Sequence, residues 1–199
     1  RVTPEALKAT MDENTGLVSI MHASNETGVI NDIASLSKLA KTIAPRCVFH
    51  SDGVQSYLKT DNDVQRNGVD MYSLSGHKIG APKGIGALYV SPKLNIRPFI
   101  YGGGQENGMR SGTENVAGIV ALGVATEVYR ARYDAQKVKA NRETLINGLR
   151  SVPDVKVIAE NAPNTGLIVA FTALNTKAEI VQTLCAESGV IIGRGSACS

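Results

Sequence analysis

A lysine stands in the middle of a small, polar, glycine-rich stretch at residues 73–84, SLSGHKIGAPKG. The apolar run from Val69 to Leu74 before it predicts a buried strand, and the glycines after it predict a break in regular structure. Just past a strand end, Lys78 can bind a carbonyl carbon as a Schiff base if its amine is desolvated or lies near other cationic groups. Because most lysines are simply exposed, an ordinary surface loop is the alternative.

The elements around this lysine predict an α/β fold with a mostly parallel sheet and flanking helices. Asn31 and Asp32 can cap a helix whose apolar side chains recur every three and four residues until Pro45. A strand, a helix and a second strand over this length form a βαβ unit, which makes the two strands parallel neighbours. Strands are predicted at Leu17–Met21, Cys47–His50, Val69–Leu74 and Gly86–Val90.

Three polar residues follow three of the predicted strands: Asn25, Asp52 and Lys78. In open parallel sheets, ligands bind outside the carboxyl ends of the strands. We therefore expect a binding site at this edge, although loops at strand ends are polar in any case.

The middle of the chain combines a glycine-rich loop with a long helix. Gly102, Gly103 and Gly104 begin the loop, and Arg110 and Thr113 suit a phosphate or a carboxylate; a flexible linker is the alternative. A helix is predicted from Glu114 to about Tyr133. Its expected buried stripe consists of Val116, Ile119, Val120, Gly123, Val124 and Val128.

A composition shift at residues 151–154, SVPD, indicates a boundary. We expect one domain over residues 1–133 and a second over 134–199. The second contains a helix from Ala135 to Leu149, strands at Val155–Ile158 and Leu167–Phe171, a helix from Lys177 to Ser188 and a strand from Val190 to Ile192. The chain begins at Arg1 without methionine, so a piece of a longer protein is expected.

Composition excludes several classes of protein. The 199 residues carry a net charge of +3 with scattered lysines and arginines, which does not indicate nucleic-acid binding. No apolar run approaches the length of a membrane span. Three cysteines without a CxxC pair argue against a disulfide framework and against a metal site. A reducing compartment, by default the cytoplasm, is expected.

The polar residues near Lys78 supply what a pyridoxal 5'-phosphate site requires. Lys78 can anchor the cofactor, and Asp52 can keep a pyridine nitrogen protonated. Asn25 and Gln55 can hydrogen-bond a phenolic oxygen. Ser75 and His77 flank the lysine and can reach a phosphate group.

Several segments then resemble the cysteine desulfurases of the NifS/IscS type, in the class V aminotransferase group of fold-type I pyridoxal phosphate enzymes. They are MHASNETG (21–28), HSDGVQ (50–55), SGHK (75–78), GGGQE (102–106), RSGTEN (110–115) and GSACS (195–199). The resemblance covers essentially the whole chain, with the motifs in the family's order. It implies that residues 1–133 are the later part of a large cofactor-binding domain, and that residues 134–199 begin a small domain.

The resemblance also assigns roles to residues. Lys78 matches the family's Schiff-base lysine, and Asp52 matches the acid at the pyridine nitrogen. Asn25 and Gln55 match residues near the phenolic oxygen, and Ser75 and His77 match phosphate ligands. Thr113 matches a threonine that reaches the phosphate in the partner subunit, which implies a homodimer, and Cys198 matches the cysteine that receives sulfur.

The implied reaction converts L-cysteine to L-alanine and leaves sulfur as a persulfide on Cys198, for acceptor or scaffold proteins of iron–sulfur cluster or thiolation pathways. Three alternatives stay open: a selenocysteine lyase, a class V aminotransferase without sulfur chemistry, and an inactive fragment that keeps only fold and dimer contacts. Cys47 and Cys185 are expected to be small buried side chains, and His50 is expected to be structural.

Overall fold

Residues 1–195 are described by a computed structural model whose largest sheet has four strands in the order β1-β2-β3-β4. The first three strands are parallel and β4 is antiparallel to β3. This arrangement confirms the predicted mostly parallel α/β fold. The strands are β1 (Leu17–Met21), β2 (Val48–Asp52), β3 (Met71–Ser75) and β4 (Gly86–Val90).

Strands β2 and β3 end later than the sequence pattern predicts, at Asp52 instead of His50 and at Ser75 instead of Leu74. β2 continues to Asp52, which pairs with Met21 of β1 and Ser73 of β3. Asp52 is therefore the last residue of the strand, and the prediction that it follows the strand was wrong. The backbone N–H of His22 donates to the carbonyl of Asp52 at 2.7 Å. Hydrogen bonds to the neighbouring strands extend β2. A local sequence pattern carries no information about these bonds.

Helices α1 (Pro4–Thr10) and α2 (Ile33–Ile43) contribute the apolar side chains that cover one face of this sheet. The carboxylate of Asp32 caps α2 by accepting from the N–H of Ser35 at 3.1 Å. Burial of one α2 stripe against the sheet confirms the predicted apolar face. The core cluster contains Leu7, Val18, Ile33, Leu36, Ala40, Ala44, Cys47, Phe49, Val69 and Tyr72.

One polar atom in this core lacks a partner. Ser51 is fully buried in β2, and its hydroxyl makes no hydrogen bond to any residue that the structure describes. We expect Ser51→Ala to raise the free energy of unfolding by about 1 kcal/mol, because the folded state no longer desolvates an unpaired hydroxyl. Urea denaturation of both proteins measures the change.

Ser37→Ala is the matched control for this prediction. The Ser37 side chain is equally buried, but its hydroxyl donates to the carbonyl of Gly68 at 2.6 Å. Its loss is expected to cost about 1 kcal/mol. A destabilised Ser51→Ala variant would contradict the prediction.

The chain divides into two compact units. Residues 2–22 and 31–133 form the unit described above, which we call the sheet unit. Arg1, Ala23–Ile30 and residues from Asp134 onward form the other, the smaller unit. The smaller unit contains α4 (Ala135–Arg150), β5 (Val155–Val157), β6 (Phe171–Ala173) and α5 (Ala178–Glu187), and β5 pairs antiparallel with β6.

The later strand predictions were partly wrong. β6 begins at Phe171, where the predicted strand was to end, and residues 190–192 do not form a strand. No helix within residues 1–195 is long and apolar enough to cross a membrane.

The apolar stripe of α3 (Val116–Arg132) is exposed, so the predicted buried stripe was wrong. Val116, Val120 and Val124 are 65%, 60% and 54% exposed, and Gly118 is the buried residue of the helix. A periodic pattern identifies an apolar face but not what covers it. Within the described sheet unit, this face has no apolar cover.

Candidate functional site

The carboxyl ends of β2 and β3 bring two predicted site residues to one edge of the sheet. Asp52 ends β2 and Ser75 ends β3, and the two strands are parallel neighbours. Lys78 follows directly in a short 3₁₀-helix, Gly76–Ile79. Parallel sheets bind ligands at this edge. The structure places Asp52 and Lys78 there, and their roles in binding stay predictions.

The Asp52 carboxylate is half-buried and oriented by the backbone. Its Oδ1 atom accepts a hydrogen bond from the N–H of Val54 at 2.9 Å. An ionised carboxylate accepts several hydrogen bonds, so this contact leaves acceptor capacity for a cationic N–H group of a ligand.

The turn that holds Lys78 depends on a glycine. A Cβ atom at Gly76 would lie 2.9 Å from the Cβ of Ala81 and 3.0 Å from a methyl group of Ile85. Gly80 ends the 3₁₀-helix with φ of 92°, and its N–H donates to the carbonyl of Gly76. Lys78 is thereby presented on a tight turn with its side chain exposed.

Among the other predicted residues of the sheet unit, Ser75 ends β3 and His77 lies in the 3₁₀-helix, while Gln55 and Thr113 lie in loops. The Ser75 hydroxyl and Nδ1 of His77 are 2.7 Å apart, so these predicted phosphate ligands are neighbours. Gln55 is half-buried in the turn after β2, close in sequence to Asp52. Thr113 is exposed in the loop before α3. The roles of all four residues stay predictions.

Two predicted residues do not belong to the sheet unit. Asn25 is exposed in the turn between Ala23 and Ile30, in the smaller unit. Asn164 holds this turn by donating from its side chain to the carbonyl of Thr27 at 2.7 Å. Cys198, the predicted sulfur-accepting residue, lies outside the described residues.

Lys59 is a half-buried lysine near Lys78 that no sequence pattern indicated. Burial lowers its pKa, and the positive charge of Lys78 lowers it further, so the two amines lie within electrostatic reach. Burial and a neighbouring cation both favour the neutral form of the Lys59 amine. An isolated lysine seven residues after Asp52 carries no sequence signal for this proximity.

Two cysteines, Cys47 and Cys185, lie within the described residues, and both were predicted to be buried. Cys47 is buried as predicted, and burial raises the pKa of its thiol, which disfavours the reactive thiolate. Cys185 is only half-buried, so the prediction that it is buried was wrong. The described part of the chain contains no cluster of three or more His, Cys, Asp or Glu side chains that could hold a metal ion.

Two curated proteins that are similar to this chain are both named as cysteine desulfurases. A cysteine desulfurase IscS of Anaeromyxobacter dehalogenans is 40% identical over 206 residues, and a cysteine desulfurase of Gluconacetobacter diazotrophicus is 40% identical over 205. Both alignments cover 100% of this chain and 50% of the relative. The chain thus spans about half the length of these curated relatives.

Two solved structures are similar to this chain in both fold and sequence. A NifS-like protein from Rickettsia africae superposes with a TM-score of 0.87 at 34% identity, over 97% of this chain and 53% of that one. A structure titled SspA in complex with cysteine gives 0.80 at 32% identity, over 99% and 54%. The model of the aminotransferase class-V family matches residues 1–199. The chain therefore belongs to the class V aminotransferase family.

Proposed function

We propose that this chain is part of a pyridoxal phosphate-dependent cysteine desulfurase. The observation that carries the proposal is the placement of Asp52, Ser75 and Lys78 at the carboxyl ends of neighbouring parallel strands. Relatives named cysteine desulfurase, 40% identical along the whole chain, support the substrate class. The similar structure titled as a complex with cysteine supports L-cysteine as the substrate.

The donor set fits pyridoxal phosphate. Strand β2 carries a carboxylate for a pyridinium N–H. Strand β3 and the turn after it carry an amine for an aldehyde and a hydroxyl–imidazole pair for a phosphate. When bound, the cofactor supplies a ring that withdraws electrons from the substrate Cα. Asp52 would keep the ring nitrogen protonated, and Ser75 and His77 would bind the phosphate. Lys78 would hold the cofactor and, as a free amine, accept the Cα proton.

The sulfur step is assigned to Cys198. Its thiolate would attack the sulfur of bound L-cysteine, forming an S–S bond while the Cβ–S bond breaks. The Cβ carbon takes the bonding electrons and a proton, which yields L-alanine, and the transferred sulfur stays on the enzyme as a persulfide. Sulfur-acceptor or scaffold proteins would then remove it. The conversion needs no external oxidant or reductant.

The exposed stripe of α3 supports a homodimer. Val116, Val120 and Val124 leave an apolar helix face uncovered in the sheet unit, and such faces mark interaction sites. Thr113 lies three residues before this helix and would reach the phosphate of the partner subunit. Cys47 and Cys185, both free thiols, support a reducing compartment such as the cytoplasm.

Alanine production with persulfide mapping tests the proposed function. The purified protein is incubated with pyridoxal phosphate and L-cysteine, alanine is quantified, and the trapped persulfide is located by mass spectrometry. Wild-type protein should release alanine and carry the persulfide on Cys198. Cys198→Ser should lower alanine release at least about 100-fold, because removal of a nucleophile abolishes its step.

Cys185→Ser is the matched control. It removes a cysteine on α5 without a proposed role, so activity should stay at the wild-type level. Full activity of Cys198→Ser would contradict the desulfurase proposal and favour a class V aminotransferase without sulfur chemistry. Alanine release from selenocysteine but not from cysteine would identify a selenocysteine lyase instead.

A further inference from the structure

Tyr72 on β3 is the centre of a buried hydrogen-bond cluster that includes a side chain of the turn after β2. Its ring is 3% exposed, and its hydroxyl contacts Ser56 Oγ at 2.7 Å, Asn62 Oδ1 at 2.7 Å and His22 Nδ1 at 3.3 Å. We call these four residues the Tyr72 cluster. All of them belong to the sheet unit.

The protons of the cluster have one consistent arrangement. A phenol has a single O–H donor, and Tyr72 donates it to the side-chain oxygen of Asn62. The phenolic oxygen can then accept from the Ser56 hydroxyl, which is closer to it (2.7 Å) than to the Gly53 carbonyl (3.3 Å), and from His22 in the tautomer that carries a proton on Nδ1. Burial raises the pKa of Tyr72 to about 12 and lowers that of His22, so both side chains are neutral at pH 7.

The cluster anchors the turn that follows β2. Ser56 and Asn62 lie within or just after this turn, and Tyr72 lies on the neighbouring strand β3, so their hydrogen bonds attach the turn to the sheet. The backbone adds a bond from Gly53 N–H to the Ser73 carbonyl at 2.8 Å. Within the turn, the N–H of Tyr57 donates to the carbonyl of Gly53 at 2.8 Å, so the turn is a hydrogen-bonded unit that moves as one piece.

The same turn carries side chains of the candidate site. It begins directly after Asp52, whose carboxylate accepts from the Val54 N–H within the turn. It also carries Gln55 and ends near Lys59, whose amine lies within electrostatic reach of Lys78. A displacement of the turn would therefore move the groups around the cofactor together.

We propose that Tyr72 is a positioning residue whose hydroxyl fixes the 53–60 turn and thereby orients Asp52 and Gln55 toward the cofactor. This inference rests on the proposed function. Tyr72 touches neither cofactor nor substrate in this account. Its effect is to hold the turn in one position, and small displacements of site groups have large effects on binding.

Cofactor binding by two variants tests the inference. Tyr72→Phe keeps the ring and removes the hydroxyl, and Ser56→Ala removes its partner on the turn. Both should raise the dissociation constant of pyridoxal phosphate about tenfold and shift the pH midpoint of the visible absorbance of cofactor bound to Lys78. Equilibrium titration and a spectroscopic pH titration measure the two quantities.

Ser37→Ala separates positioning from stability. It removes a buried hydroxyl with a backbone partner in the same unit, but on α2 rather than on the turn. It should lose comparable stability and keep wild-type cofactor binding. Wild-type binding by both cluster variants, or weaker binding that merely follows stability in all three proteins, would overturn the inference. Failure of the wild-type protein to bind the cofactor would contradict the proposed function, and the inference with it.

Discussion

Lys78→Ala is expected to abolish covalent retention of pyridoxal phosphate and to lower desulfurase activity at least about 1,000-fold. Alanine has no amine, so the variant can neither hold the aldehyde carbon nor accept the Cα proton. The exposed position of Lys78 on the turn after β3 leaves its amine accessible. Borohydride reduction followed by peptide mapping locates the label, and alanine release measures activity.

Lys83→Ala is the control for this experiment. Lys83 is exposed five residues later in the same loop, so its loss tests whether any nearby lysine suffices. The label should stay on Lys78 and activity should stay unchanged. A label that persists on another lysine in the Lys78→Ala variant would contradict the assignment of the anchor.

Gly53→Ala is expected to lower the free energy of unfolding by about 3 kcal/mol or more. A Cβ atom at this position would lie 2.0 Å from Cζ of Tyr72. The ring of Tyr72 is buried and its hydroxyl is hydrogen-bonded to Ser56 and Asn62, so it cannot move without breaking these contacts. The clash also lies directly after Asp52, and weaker cofactor binding should accompany the lost stability.

Two further variants make this prediction specific. Gly16→Ala is the control, because nothing lies within 4 Å of a Cβ atom there, and stability should change little. In the double variant Gly53→Ala/Tyr72→Leu the smaller side chain makes room for the methyl group. The double variant should be more stable than the sum of the two single effects predicts. Strict additivity would show that the ring does not cause the destabilisation.

The sequence by itself determined the type of fold and the edge of the sheet where two candidate site residues lie. Alternation of strand and helix patterns predicts a parallel sheet, because a βαβ unit places its strands side by side. Parallel strands bring their carboxyl ends to one edge, so the sequence predicts that Asp52 and Lys78 lie at the same edge of the sheet. Glycines around Lys78 marked the turn, since only glycine tolerates the close contact at position 76.

Only the tertiary structure decided which side chains meet across strands. The pairing of β2 with β3 decides three such features. They are the end of β2 at Asp52, the contact of Gly53 with Tyr72 and the proximity of Lys59 to Lys78. This register joins residues far apart in sequence, and a local pattern does not contain it. For the same reason periodicity revealed the apolar face of α3 but not its exposure, because burial depends on what packs against a helix.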